Sequence, residues 1–169
     1  MVEQAPPWLI WARKEIGQRE LPENRGPVIR RYVALAKCGA EGEPWCAIFA
    51  NAALEQAGIK GTRSPSSQSF RHSPDFVELP GPSLGAIVVY WRISKSSGLG
   101  HVGFVTGIDS HGYIKTLGGN EGDQVKEEFL NPHGSNFGLV GFYWPKSVPL
   151  PIDKMSVQVA GTLGSGKVT

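Results

Sequence analysis

Cysteine is scarce in this chain: two among 169 residues, Cys38 and Cys46, close together in sequence. A disulfide framework needs more and better separated cysteines, so the core alone is expected to hold the fold, and a reducing compartment of synthesis is the simpler reading. Charge of one sign is scarce too. Lys and Arg number 17 against 15 Asp and Glu, a formal net charge of +2. That balance is too mild to make nucleic acid the natural partner, although it tolerates an anionic polymer as substrate. Long apolar runs are missing as well. The opening MVEQAPPWLIWARKEIGQRE has an acidic residue at position 3, prolines at 6 and 7, and no run of signal-peptide or membrane-span length. Synthesis in the cytoplasm without a signal peptide is therefore expected, with any target outside reached through something that carries or releases the protein.

What is plentiful fits one globular domain. Hydrophobic residues make up 40% and charged residues 19%, while 22 glycines and 13 prolines indicate many turns. Pro7 opens WLIWARKEIGQ, where Leu9, Ala12 and Ile16 recur at helical spacing and Gly17 suits the stop. The spacing of Ile29, Val33 and Ala36 predicts a second helix over 28–37, and a third runs from about Trp45 to Gln56 with Gly58 just past its end. RSPSSQSFRHSPDFVELPGPSLG reads as a surface connection with one short helix around Ser67 to Phe70. From Ala86 the period changes. AIVVYWRI, HVGFVTGID, GYIKTLGG, QVKEEFL and LVGFYWP are β-branched and aromatic runs between turn residues, with a hairpin turning at Asp109 to Gly112. The class predicted is α+β, N-terminal helices packed on an antiparallel meander. Residues 1–149 are expected to form the domain, a monomer, and 150–169 a mobile or partner-bound tail.

A lone cysteine is most simply a small buried hydrophobe, and Cys38 takes that reading. Cys46 differs because it falls in the first turn of the third helix, where unpaired N–H groups and the macrodipole favour a thiolate. Such a thiolate needs a base. His72, His111 and His133 sit in loops or turns, whereas His101 opens a strand in SGLGHVGFVTG, which fixes its ring more rigidly. A third polar group should hold that ring. The far end of the neighbouring strand, TLGGNEGD, returns beside His101, and Asn120 is expected there, with Glu121 and Asp123 as rivals.

WLIWARKEIGQRE, EPWCAIFAN, GAIVVYWR, SGLGHVGFVTG and TLGGNEGD, in that order, resemble the NlpC-type and CHAP-type papain-like cysteine peptidoglycan hydrolases, above all the small single-domain group of phages and prophages. The resemblance covers about Trp8 to Pro145. It implies a papain-like α+β core with Cys46 as nucleophile, His101 as base and Asn120 as the polar third residue. Related CHAP-type enzymes often carry a Glu two places before that asparagine, where this chain has Gly118. The implied substrate is the peptide part of the cell wall, in the periplasm or outside the cell. An endopeptidase would cut within the stem peptide and an N-acetylmuramoyl-L-alanine amidase at its first alanine. Bacterial lysis is the implied role, with an export or holin-type release system as partner and no cofactor.

Other readings are weaker on the residues. AGTLGSGKVT approaches a phosphate-binding loop through Gly161, Gly166 and Lys167, but Val168 stands where Ser or Thr should hold magnesium. No paired Cys or His spacing supports a zinc site. A secreted antibacterial amidase toxin would share the chemistry. A catalytically inactive wall-binding module would use Trp8, Trp11, Trp45, Trp91 and Trp144, but most of these sit in apolar periodic segments and read as core or rim.

Overall fold

The structure, a computed structural model, describes residues 4–151. Apart from Leu150 and Pro151, the expected tail and its phosphate-loop-like segment lie outside the described residues. The helices are α1 (Pro7–Lys14), α2 (Pro27–Ala36) and α3 (Cys46–Gln56), followed by a 3-10 turn over Ser67–Arg71. Six strands follow: β1 (Phe76–Leu79), β2 (Ile87–Arg92), β3 (Gly100–Ile108), β4 (Ile114–Glu121), β5 (Gln124–Leu130) and β6 (Phe137–Pro145). They form one antiparallel sheet in the order β1-β6-β2-β3-β4-β5. The fold is α+β, of the papain-like kind.

Two features depart from the expected meander. β1, a strand of only four residues, lies inside the segment read as a connection, and β6 returns across the sheet to pair with β2. β2 to β5 do run as consecutive hairpins. The turn between β3 and β4 closes where expected, with Gly112 N–H donating to Asp109 O at 3.0 Å.

The third helix is the centre of the core. Every residue from Cys46 to Leu54 is buried, Asn51 being the one polar member, so the helix is enclosed on several sides rather than amphipathic. α2 packs along it, and β3 and β4 pass beneath it. Tyr32 of α2 meets Phe49 edge-on at 5.1 Å, and Trp11 of α1 stacks on Phe49 at 5.7 Å. Gly119 is what lets β4 come so close. A Cβ there would lie 2.7 Å from the Trp45 ring and from Phe49 Cβ.

Candidate active site

Helix α3 begins after Pro44, and its N-cap residue Trp45 makes no side-chain capping bond. The N–H groups ahead of Phe49, which makes the first helical bond to Trp45 O at 2.9 Å, therefore have no backbone acceptor within the helix and no cap from the Trp45 side chain. Cys46 sits at this end. Its sulfur accepts hydrogen bonds from the N–H groups of Ala47, in its own turn, and Val102, on β3. Trp45 anchors the turn from the other side, donating Nε1–H to Glu20 Oε1 at 2.7 Å.

His101 reaches the same point from β3 and hydrogen-bonds the Cys46 thiol. Across the strands it faces Tyr90, whose ring stacks on the imidazole at 6.3 Å and 28°. Tyr90 is itself fixed, its hydroxyl lying 2.7 Å from Thr116 Oγ1. The ring's Nε2 lies 2.7 Å from Glu121 Oε2, which leaves Nδ1 to face the sulfur. Cys46, His101 and Glu121 are 8%, 7% and 4% exposed, so the chain of three groups is nearly dry.

The electrostatics follow from that arrangement. Burial alone would push the Cys46 thiol up, but the hydrogen bond and charge of His101, with the two backbone N–H groups, outweigh it and hold the thiol below its ordinary value. Burial opposes charge on His101 as well, yet Cys46 and Glu121 together raise the imidazole well above its ordinary value. Both shifts favour a thiolate–imidazolium pair. The Glu121 carboxyl is raised by burial, which His101 offsets only in part. Its other oxygen, Oε1, is buried without a hydrogen-bond partner among the described residues.

Of the residues predicted from the sequence, Cys46 and His101 come together and Asn120 stands beside them. The ring's carboxylate partner, however, is Glu121 and not Asn120. The cause is a β-bulge. The β4–β5 register shifts between Gly118 and Glu121, with Gly118 opposite Lys126 and Glu121 opposite Gln124, so β4 carries one extra residue. Asn120 absorbs it with φ 60°. In a regular strand residue 120 would share a face with 118; the bulge hands that place to 121. Gly118 completes the exchange, because a Cβ there would lie 2.5 Å from Glu121 Oε2 and 3.2 Å from His101 Nε2. The missing side chain is the space that the Glu121 carboxylate fills.

Two cavities flank the group. One, of about 340 Å³, is lined by Cys46, Pro44, Ser66, Ser67 and Leu99 among others. The second, of about 320 Å³, is lined by His101, Asn120, Glu121, Glu128 and Phe137 among others. Arg92 borders both. Among the described residues no group of three or more His, Cys, Asp or Glu side chains is gathered as a metal site, and no helix is long and apolar enough to cross a membrane. Trp8, Trp45 and Trp144 are buried in the core, which takes them out of any glycan-gripping surface.

Comparison with curated proteins and with solved structures gives no match. Residues 39–120 match the family model of the CHAP domain, a span that takes in Cys46, His101 and Asn120 and stops one residue short of Glu121. The match is consistent with a CHAP-type peptidoglycan hydrolase.

Proposed function

We propose that the protein is a cysteine-dependent peptidoglycan hydrolase that cuts an amide bond in the wall peptide, within the stem or at the muramoyl–alanine junction. The observation that carries the reading is the buried Cys46–His101–Glu121 chain at the start of α3. The Cys46 thiolate attacks the amide carbonyl carbon. As the C–S bond forms, the carbonyl π electrons move to oxygen, and that oxyanion faces the uncapped N–H groups of the first helical turn. His101 then gives its proton to the nitrogen as the C–N bond breaks, and the amine departs.

Deacylation runs the same path with water. Neutral His101 takes a proton from water while its oxygen attacks the thioester carbon, and the C–S bond breaks to give a carboxylic acid and Cys46 thiolate. Glu121 keeps the ring oriented and supports its charge through both halves. Asn120 is given a different part here: it lines the cavity beside His101 and offers its amide to the bound peptide. Lysis of a bacterial cell is the biological use this chemistry fits.

Mass spectrometry of fragments released from cell walls of defined peptide sequence tests the reading. New amino groups at one peptide position are expected, and their position separates endopeptidase from amidase. Release of sugar fragments with intact peptides would refute it.

A further inference from the structure

We propose that Arg92 is a specificity-determining residue that binds a free carboxylate on the wall peptide lying across Cys46 and His101. The inference rests on the hydrolase reading for the identity of the peptide, and on charge accounting for the rest. Arg92 ends β2 and borders both cavities, the one beside Cys46 and the one beside His101. Among the described residues it is the only Lys or Arg lining either.

Each acidic side chain lining those cavities already has a partner. Glu121 is bonded to His101, Glu128 lies 3.5 Å from Lys126 Nζ, and Glu43 accepts the Ala40 N–H at 2.8 Å. Arg92 has no carboxylate partner among the described residues. Among the described residues its guanidinium makes one hydrogen bond, a long 3.5 Å contact from Nη1 to Gly100 O, and lies over the Phe137 ring at 5.6 Å. Arg92 is thus the cation that, among the described residues lining the two cavities, no carboxylate neutralises.

The group is also placed in advance. Arg92 N–H donates to Leu99 O at 2.9 Å and the next residue, Ile93, donates to Asn136 O at 2.8 Å, while the Phe137 ring supports the guanidinium plane. A planar fork over an aromatic face presents paired donors that match a carboxylate. Peptide stems of bacterial walls carry such carboxylates, and amidation removes their charge.

Binding to the Cys46→Ala protein tests this without requiring a cut. The probes are two synthetic wall peptides of one sequence, one with every carboxylate free and one with every carboxylate converted to carboxamide. The free acid is expected to bind about tenfold more tightly at low salt. Adding Arg92→Gln should erase that preference by weakening the acid form alone, and Arg92→Lys should keep part of it. Equal affinity for the two peptides, or no binding of either, overturns the proposal, as does a preference that survives Arg92→Gln. Failure of the wild-type protein to cut walls, with the acid preference intact, would count against the hydrolase reading and leave the Arg92 assignment standing.

Discussion

Glu121 Oε2 lies 2.7 Å from His101 Nε2, with both side chains buried. A carboxylate in that place fixes the tautomer, aims Nδ1 at Cys46 and offsets the charge of the imidazolium. Glu121→Gln or Glu121→Ala should therefore lower kcat/KM on wall substrate by about a hundredfold or more, with the fold kept. Asn120→Ala should cost less than about tenfold. Turbidity loss of purified walls reads both, and a larger effect at Asn120 than at Glu121 would return the orienting role to the amide.

Gly118 gives a second way to reach the same group. An alanine methyl there must displace Glu121 Oε2 or the His101 ring, since an ideal Cβ lies 2.5 Å and 3.2 Å from their nearest atoms. Gly118→Ala should thus imitate Glu121→Ala in rate while leaving most of the core packing intact. The two changes should be strongly non-additive when combined. Full activity in Gly118→Ala would show that the cradle is not needed.

The pH dependence carries its own sign. The Cys46 thiol is lowered from an ordinary 9.0, so thiolate persists as pH falls below that value; the imidazole is raised from an ordinary 6.5, so it stays charged as pH rises above it. Hydrolysis should therefore rise along an acid limb whose midpoint lies below 9.0 and hold until the imidazole, raised to about 10, loses its proton. Alkylation by iodoacetamide should follow the acid limb. Below pH 9 it should label Cys46 and spare Cys38, whose thiol burial pushes up to about 11. His101→Ala leaves only the two backbone N–H groups to oppose burial at Cys46, so its thiol should titrate higher than in the wild type and label more slowly at neutral pH. Equal labelling of both cysteines across the range would contradict the ion pair.

Stability should depend on the contact between α3 and β4. Gly119→Ala drives a methyl toward Trp45 and Phe49 and should cost about 1–3 kcal/mol by overpacking. Phe49→Ala removes a buried ring that touches α1 and α2 and should cost about 3–5 kcal/mol. Urea unfolding measures both, and a neutral Gly119→Ala would mean that the strand can withdraw from the helix.

Much of this was legible in the sequence for physical reasons. Helical spacing and the Pro and Gly punctuation located α1, α2 and α3, and the apolar run after Pro44 put Cys46 at a helix start. Alternation located β2 to β6. The β1 strand was lost because four residues between prolines carry no clear period. The sequence does not separate Glu121 from Asn120, because a bulge that moves every later side chain by one place leaves no sign in a two-residue period; the signals present are the paired glycines at 118 and 119 and an asparagine, the non-glycine residue most tolerant of positive φ. Arg92 had no signal at all. One arginine at a strand end acquires meaning only when the fold sets it between two cavities and pairs off the acids around it.

The most direct measurement is the release of amino groups from purified cell walls by the wild-type protein and by Cys46→Ala, with circular dichroism showing both folded. New amine at a single peptide position from the wild type and none above background from Cys46→Ala is the result expected if the Cys46 thiolate is the nucleophile. Equal amine release by the folded Cys46→Ala protein would contradict it.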